Sequence, residues 1–242
     1  MNAINIAGLT KRYSDVVAVD GISISIAKGE LFSLLGVNGA GKTTLIKMLS
    51  CLTSPTEGDA FLNGKSICRD AKEIKEFIAV SPQETAVAAG LSVFENLELM
   101  CGVRGFSKEK KEKRIKELSE LLGLEKQWRK KAGKLSGGWQ RRLSIAMALI
   151  SEPEILFLDE PTLGLDVIAR SELWDVIRAL KGKITVILTT HYMEEADALS
   201  DRIAIMKEGR VLTVGVPSEI KERAGKNSLE EAFVSIVRGE AE

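Results

Sequence analysis

Cysteine is scarce in this sequence, and the few cysteines present do not form a framework. The 242 residues include three of them, Cys51, Cys68 and Cys101, and no CxxC pair. A disulfide-stapled domain or a zinc ribbon needs more cysteines at closer spacing. The count therefore argues against both classes and favours a reduced, cytosolic setting.

The sequence also has no excess charge of either sign. Lys plus Arg number 34, Asp plus Glu number 34, and the formal net charge is zero. Proteins dedicated to nucleic acids usually carry a basic excess, so this balance argues against that class. With 45% hydrophobic and 28% charged residues, the composition excludes disordered and collagen-like chains. We expect one domain, or two lobes that share a core.

Long apolar runs are missing as well. No stretch approaches the roughly 18 uninterrupted apolar residues that a membrane span needs. The first residues, MNAINIAGLTKRY, lack the charged-then-apolar layout of a secretory signal. We therefore expect no membrane-spanning segment in this sequence, which leaves open whether the chain docks on a membrane partner.

Short apolar or β-branched runs alternate with helical patterns along most of the chain. Predicted strands cover 4–9, 16–27, 31–36, 77–82, 154–161, 185–191 and 202–215, the last with a hairpin turn at Glu208-Gly209; predicted helices cover 43–52, 107–122, 141–150 and 167–180. This alternation predicts an α/β fold around a mainly parallel sheet with helices on both faces. The first two strands are expected to be antiparallel, so the β core is expected to be mixed.

The middle of the chain, from about 92 to 150, contains no convincing strand and is interpreted as a helical lobe inserted into the α/β core. Its charged stretch 108–131 has two interpretations, a nucleic-acid patch or a solvated helix with ion pairs such as Glu109–Lys113 and Glu112–Lys116. The zero net charge favours the solvated helix. Near the end, Ser228 and Glu231 match a capping box and predict a C-terminal helix.

A glycine-rich loop follows the predicted strand 31–36. Residues 36–44 match G-x-x-x-x-G-K-[ST], with Lys42 and Thr43 at the end of the pattern. Glycines let successive backbone N–H groups point into one concavity, and the following helix adds its positive end. Lys42 is then expected to reach the β- and γ-phosphates of a nucleotide, and the Thr43 hydroxyl to take a place on Mg²⁺.

Polar side chains also follow two later strands. Asp159 and Glu160 end an apolar strand, and His191, the only histidine, directly follows another. Parallel strands deliver such groups to the edge where α/β folds bind ligands. Asp159 is predicted to hold Mg²⁺, and Glu160 to orient or deprotonate the attacking water. A lone histidine is more often structural, but at a strand end it can hydrogen-bond a γ-phosphate.

A second anion-binding helix start is predicted at Ser136, Gly137 and Gly138, ahead of the helical segment 141–150. The alternative is an ordinary helix cap after a loop, and this segment alone does not decide between the two. The chain would then have two anion-binding helix starts, one after the glycine-rich loop and one at Ser136. A single bound nucleotide does not explain why both are present.

Taken in order, these motifs resemble the ATP-binding subunit of an ABC transporter over nearly the whole chain. The resemblance comprises Walker A at 36–44, Gln83, the signature Leu135–Gly138, Walker B at Asp159 and Glu160, Asp166 in PTLGLD, and His191. It implies ATP contacts from Tyr13 (stacked on adenine), Gly36, Asn38, Gly39, Ala40, Gly41, Lys42, Thr43 and Thr44, and contacts across a dimer from Ser136, Gly137, Gly138 and Asp166. It further implies catalytic roles for Glu160, His191, Lys42 and Gln83, and Mg²⁺ contacts from Thr43, Gln83 and Asp159.

The same resemblance implies the architecture and the partners. The fold would be that of a P-loop NTPase of the ABC ATPase type, with a mixed β core, an antiparallel β subdomain and an inserted helical subdomain. Residues 1–91 and 151–225 would form the ATP-binding core, 92–150 the helical signature subdomain and 226–242 a C-terminal helix. The cofactors would be ATP and Mg²⁺. The partners would be a membrane-spanning permease and a second ATPase subunit, identical or different, with no nucleic acid, at the cytoplasmic face of the membrane.

Two features refine the resemblance. The signature usually ends in Gln, but here Trp139 follows Gly138 and Gln140 comes one step later. The C-terminal segment KNSLEEAFVSIVRG and the EPTLGLD motif resemble ATPases of ABC-2 type exporters. The alternatives are an ABC-type ATPase that acts on nucleic acid or the ribosome, and a non-catalytic regulatory subunit. The single P-loop and the lack of a long coiled coil argue against the first, and the intact Glu160 and His191 argue against the second.

Overall fold

A computed structural model describes residues 1–240, which form two sheets flanked by helices. The strands are β1 Asn2–Tyr13, β2 Val16–Ala27, β3 Leu31–Leu35, β4 Glu57–Leu62, β5 Lys65–Ser66, β6 Ile78–Ser81, β7 Ile155–Asp159, β8 Thr185–Thr190, β9 Arg202–Lys207 and β10 Arg210–Gly215. The helices are α1 Lys42–Leu49, α2 Ala71–Phe77, α3 Val93–Val103, α4 Lys108–Leu122, α5 Gly137–Leu149, α6 Val167–Arg178, α7 Met193–Leu199, α8 Pro217–Arg223 and α9 Leu229–Arg238, with 3₁₀ turns at Glu125–Gln127 and Ala132–Lys134. No helix within 1–240 is long and apolar enough to cross a membrane.

The larger sheet positions the functional motifs. Its strand order is β10-β9-β3-β8-β7-β6, and every neighbouring pair is parallel except β9 with β10. All residues of β3, β7 and β8 are buried, as expected for central strands covered on both faces. The mainly parallel sheet predicted from the sequence is thus confirmed, and the carboxyl ends of β3, β7 and β8 meet at one edge.

The smaller sheet is antiparallel, with the order β2-β1-β4-β5. Ile4 pairs with Ile26 and Ile6 with Ile24, and these four side chains enter the core that lies between the two sheets. The predicted antiparallel pairing of the first two strands is confirmed. The β4 strand was not predicted, because its sequence EGDAFL begins with an acid, a glycine and another acid, all residues that strands disfavour.

Several element boundaries differ from the sequence prediction for local reasons. The predicted strand 77–82 begins one residue late, at Ile78, because α2 runs through Phe77. The predicted strand 154–161 ends at Asp159, because Glu160 has a left-handed backbone with φ of 48°. The 202–215 segment forms the predicted hairpin, with Glu208 at the turn also left-handed.

Helices α3, α4 and α5 occupy the middle of the chain, and the division into subdomains at 92 and 150 stays a prediction. Helix α5 begins at Gly137, four residues before the predicted start. Helix α3 was missed, although Ser92 and Glu95 form a complete capping box at its start. The residues of α3 are mostly apolar and do not fall on one face at helical spacing. The periodicity of the sequence therefore did not predict this helix.

The charged helix α4 makes other ion pairs than the ones predicted. Neither Glu109–Lys113 nor Glu112–Lys116 is among the ion pairs of residues 1–240. The helix does form one i,i+4 pair, between Lys116 and Glu120 at 3.8 Å, which is the predicted kind of ion pair at another position. In addition Lys110 bonds Glu152 at 2.7 Å, and Lys111 bonds Glu98. Long basic side chains thus connect α4 to its neighbours, because charged partners on adjacent elements lie within their reach.

The C-terminal helix α9 was predicted and packs beside β9. Its Phe233 belongs to a small apolar cluster with Leu35 and Ile203. The Ser228 hydroxyl accepts a hydrogen bond from Glu231 N at 3.2 Å, which is one of the two bonds of a capping box. The last two residues of the predicted segment 226–242 lie outside the described residues.

Candidate active site

The glycine-rich loop after β3 is packed so closely that two of its glycines cannot be replaced without moving backbone. Gly41, the N-cap of α1, has φ of 101°, and a Cβ there would lie 2.4 Å from Ala18 O. A Cβ on Gly36 would lie 2.6 Å from Met206 O. The loop is therefore packed closely against β2 and β9. It leads into α1, whose free N–H groups and dipole favour an anion.

Lys42 lies at the start of α1 and points back into the loop. Its side chain is 6% exposed, and its Nζ donates to Gly36 O at 2.6 Å and to Val37 O at 3.3 Å. Glu160 Oε1 lies 3.4 Å from the same nitrogen. The ammonium group is therefore held where a phosphate in the loop would lie, with a carboxylate on its far side.

Oxygen ligands gather beside Lys42 at the end of β7. The Thr43 hydroxyl donates to Asp159 Oδ2 at 3.2 Å, and Thr189 of β8 donates to Asp159 Oδ1 at 2.5 Å. Asp159 is buried, so its carboxylate is fixed by hydroxyl groups from two other segments. Hydroxyl and carboxylate oxygens are the ligands that Mg²⁺ prefers, and Mg²⁺ sites use only one or two protein carboxylates.

Glu160 is placed by its backbone as much as by its side chain. Its N–H donates to Thr189 O at 3.1 Å and to Thr189 Oγ1 at 3.0 Å, which holds the left-handed conformation in place. The carboxylate is nearly buried, and its Oε2 accepts a hydrogen bond from His191 Nδ1 at 2.8 Å. A carboxylate held between an imidazole and an ammonium group is suited to orienting a water for attack.

Most of these groups line one cavity of about 540 Å³, within the range of small-ligand sites, whereas the predicted residues Gly36 and Asp159 are not among its lining residues. The predicted residues that line it are Asn38, Gly39, Ala40, Gly41, Lys42, Thr43, Thr44, Gln83, Glu160 and His191. Lining residues that sequence reasoning missed are Val16, Val17, Ala18, Leu163 and Glu208. Val16, Val17 and Ala18 begin strand β2, Leu163 lies within PTLGLD and Glu208 lies at the hairpin turn, and only tertiary structure brings these three segments to the cavity.

Other predicted site residues lie away from this cavity. Tyr13 is 46% exposed at the end of β1 and is not among the lining residues, although the nearby Val16 is. Ser136 caps α5 without a side-chain hydrogen bond, and Asp166 caps α6 by accepting from Ala169 N at 2.9 Å. A Cβ on Gly138 would lie 3.0 Å from Ala169 Cβ, so the starts of α5 and α6 adjoin.

Arg141 of α5 is a buried residue that the motif analysis did not single out. Its Nη1 donates to Pro82 O and its Nη2 to Gln83 O, both at 2.6 Å. Burial lowers the pKa of this guanidinium, and the charge of Asp159 opposes part of that effect. The only signal in the sequence is spacing, since Arg141 follows Gly137 by one helical turn and so shares a face with it.

Glu195 is a second buried charged group near the site. Its Oε1 accepts from Trp174 Nε1 at 3.0 Å. Burial raises the pKa of its carboxyl, the polar side chains of Thr190, Thr162 and Trp174 oppose part of that effect, and the charge of Glu160 adds to it. Its Oε2 and the Thr162 hydroxyl have no hydrogen-bond partner among residues 1–240. The carboxyl therefore lies in an environment that favours its protonated form.

Two known family models match parts of this sequence. The ABC transporter family model matches residues 19–163. A second model, for an AAA domain described as a putative AbiEii toxin of a type IV TA system, matches only 131–197. The first match covers more than half of the chain and includes the glycine-rich loop, Gln83, the signature and both acids of Walker B.

Individual relatives agree with the family match. The daunorubicin resistance ATP-binding protein DrrA3 of Streptomyces coeruleorubidus is 42% identical over 229 residues, which are 94% of this chain and 72% of the relative. The Nod factor export ATP-binding protein I of Burkholderia lata is 40% identical over 221 residues, 90% of this chain and 72% of the relative. The human phospholipid-transporting ATPase ABCA3 is 39% identical over 211 residues, 87% of this chain but 12% of that much longer protein.

Solved structures share the fold. An ATP-binding subunit of an ABC transporter superposes with a TM-score of 0.85 at 27% identity, covering 97% of this chain and 99% of that one. A dimeric cassette in a post-hydrolysis state with ADP and Pi superposes with a TM-score of 0.79 at 28% identity, covering 88% and 98%. Together with the phosphate loop, buried acids and histidine around one cavity, these matches show that the chain belongs to the ABC transporter family, as an ATP-binding and ATP-hydrolysing subunit.

Proposed function

We propose that this subunit powers export through a separate membrane-spanning permease and works at the cytoplasmic face of the membrane. The direction is supported by the names of the relatives, which refer to drug resistance and to Nod factor export. The predicted resemblance of EPTLGLD and of the C-terminal helix to ABC-2 type exporters points the same way. A drug-like or lipid-linked molecule is the class of cargo that these relatives support, and the permease selects it.

ATP would be bound by the loop from Gly36 to Thr44. Lys42 would exchange its contacts with Gly36 O and Val37 O for β- and γ-phosphate oxygens, since its ammonium group already lies within the loop. Tyr13 is proposed to stack on adenine from the half-exposed end of β1, next to Val16 at the rim of the cavity.

Mg²⁺ fits the oxygen-rich end of the site. Thr43 and Asp159 would hold it, and Gln83, which lines the same cavity as Thr43, would also contact it. When bound, Mg²⁺ neutralises charge that develops on the transferred phosphoryl group. Thr189 keeps the Asp159 carboxylate oriented through its own hydrogen bond.

Glu160 is proposed as the residue that positions and deprotonates the attacking water, with His191 beside the γ-phosphate. The observation that carries this proposal is the convergence of Lys42, Glu160 and His191 on one cavity, with Glu160 bonded to both of the others. Phosphoryl transfer depends on positioning and electrostatic stabilisation more than on covalent chemistry, and this arrangement supplies both.

A second ATPase subunit, identical or different, is proposed to complete each ATP site. Ser136, Gly137 and Gly138 would close on the ATP of the partner, and Asp166 would lie at the same interface. The support is that these residues adjoin one another while lying off the cavity of their own chain, and that one structural neighbour is a dimer. We propose that nucleic acid is not a partner of this subunit.

The catalytic assignment is tested with two substitutions and a surface control. Glu160→Gln should keep ATP binding but lower kcat by about 100-fold or more, because the water loses its base. Lys42→Ala should lose nucleotide binding or turnover. Glu194→Gln removes an exposed glutamate that stands one residue before the buried Glu195, and it should hydrolyse ATP normally.

Steady-state hydrolysis and equilibrium binding of a fluorescent ATP analogue measure both properties. A Glu160→Gln protein with near-normal turnover contradicts the role of Glu160. Absent turnover in the unsubstituted chain, even with its permease, would favour the alternative of a regulatory subunit. Salt-dependent binding of DNA or RNA would favour the alternative of a nucleic-acid ATPase.

A further inference from the structure

Arg141 lies where three motif-bearing segments meet. It belongs to α5, which begins directly after the signature residue Ser136. Its guanidinium donates to the main-chain oxygens of Pro82 and Gln83 at 2.6 Å each, and its Nη2 lies 3.5 Å from Glu160 O. One side chain therefore contacts the backbone on both sides of the proposed hydrolytic centre.

The Arg141 guanidinium bonds main-chain oxygens of two separate segments and, within the described residues, forms no ion pair with a carboxylate. Arg141 is 4% exposed, and no carboxylate of residues 1–240 lies within salt-bridge distance of it. A planar guanidinium with five N–H donors can hold several carbonyl groups at fixed angles, which no other side chain can do. The Pro82 and Gln83 oxygens have no other donor within the described part of the chain.

The backbone at Glu160 needs such support. Glu160 is a non-glycine residue with φ of 48°, a conformation that persists only when the surroundings fix it. Its N–H is fixed by Thr189, and its oxygen accepts from Leu163 N at 3.2 Å and faces Arg141. A displacement of the guanidinium would therefore act on Glu160 and on Gln83 together.

We infer that Arg141 is a positioning residue for hydrolysis, which fixes Gln83 and Glu160 relative to the signature loop of the same chain. The inference rests on the proposed roles of those two residues and on the rigid helix between Ser136 and Arg141. In a dimer, Ser136 would contact the ATP of the partner while Arg141 contacts the chain's own site. Arg141 thus links the two ATP sites mechanically.

The test compares Arg141→Gln and Arg141→Lys with Ser144→Ala. Ser144 lies one turn further along α5, is buried, and contacts Ser81 of β6 at 3.1 Å, so its substitution loosens the same pair of elements without touching Gln83. Arg141→Gln should lower kcat by about 10- to 100-fold, as a misplacement of about 1 Å does. KM for ATP and affinity for ADP should change less than about threefold, because the phosphate loop is untouched.

Arg141→Lys keeps the positive charge but can reach fewer carbonyl groups, so its kcat should lie between those of Arg141→Gln and the unsubstituted chain. This variant keeps the test decisive if Arg141→Gln does not fold. Ser144→Ala should retain kcat within about twofold. The inference is overturned if kcat per ADP-binding site is unchanged in Arg141→Gln, or if Ser144→Ala loses as much activity as Arg141→Gln does.

A double substitution separates this inference from the proposed function. Gln83→Ala keeps the main-chain oxygen that Arg141 contacts but removes the side chain. If Arg141 acts partly through Gln83, the double variant should lose less kcat than the product of the two single losses. Strictly multiplicative losses overturn the inference. A Gln83→Ala protein with normal kcat would instead contradict the proposed role of Gln83, whatever Arg141 does.

Discussion

Glu160 illustrates how a single residue is placed for its task at the edge of a sheet. The strand β7 ends one residue before it, and its left-handed backbone turns the carboxylate toward Lys42 and His191. A carboxylate at the end of an apolar strand could be predicted from the sequence. The left-handed turn could not, because glutamate rarely adopts it and only the surrounding hydrogen bonds with Thr189 enforce it.

Glu195 presents the opposite case at the same scale, a buried carboxyl with an incomplete set of partners. Burial raises its pKa, so the folded chain binds a proton more tightly than the unfolded chain does. Stability that depends on this group is then present below the ordinary glutamate pKa and is lost as pH rises through the raised pKa. Ionised Glu195 destabilises the fold at higher pH.

Glu195→Gln should therefore raise Tm near pH 8 and change it little near pH 5. The glutamine oxygen can keep the bond from Trp174, and its amide can donate to the Thr162 hydroxyl, which has no partner among the described residues. Thermal unfolding at both pH values measures the effect, with the exposed Glu194→Gln as control. A gain in Tm that is larger at pH 5 than at pH 8 would contradict this account.

The contact between α5 and α6 is the element-scale feature on which the proposed interface depends. Gly137 and Gly138 are neighbours in the first turn of α5, and both have ordinary negative φ. A Cβ on Gly137 would meet Leu165 Cδ2 at 3.7 Å, an ordinary contact, whereas one on Gly138 would meet Ala169 Cβ at 3.0 Å. The two glycines thus differ in how closely their neighbours approach, Leu165 just before α6 and Ala169 within its first turn.

Gly138→Ala should destabilise the chain by about 1–2 kcal/mol, because added volume in a tight contact costs more than the alanine gains in helix propensity. Gly137→Ala should be neutral or slightly stabilising. Denaturant unfolding of the two variants measures the difference. Equal effects of the two substitutions would show that close packing against Ala169 does not limit this position.

Elements with a strong local pattern were predictable, and elements that depend on tertiary context were not. The fully buried strands β3, β7 and β8 were identified from sequence, since short runs that are mainly apolar suit buried parallel strands. Strand β4 was missed because Gly58 and its acidic residues have low strand propensity, and its pairing with β1 stabilises it as a strand. The start of α5 was predicted four residues too late, because the glycines in its first turn disfavour a helix.

At the scale of the whole molecule, the motif residues separate into two groups. Lys42, Glu160 and His191 line one cavity, while Ser136 and Asp166 lie on adjoining helix starts away from it. Motif order predicted every member of both groups. It did not predict Arg141, which joins them, because three backbone oxygens from distant segments leave no trace in a single sequence.

This separation predicts that a complete ATP site needs two chains. The Glu160→Gln variant should bind ATP without consuming it, so the closed state should accumulate. Size-exclusion chromatography with light scattering then reports the mass with and without ATP. A Glu160→Gln/Lys42→Ala protein serves as the control, once the fluorescent analogue has shown that it does not bind ATP.

Glu160→Gln should have the 26.4 kDa mass of one chain without nucleotide and twice that mass only with ATP, while the control stays monomeric. A protein that binds ATP fully and still elutes as a monomer would contradict closure of the signature loop of one identical chain on the ATP of another.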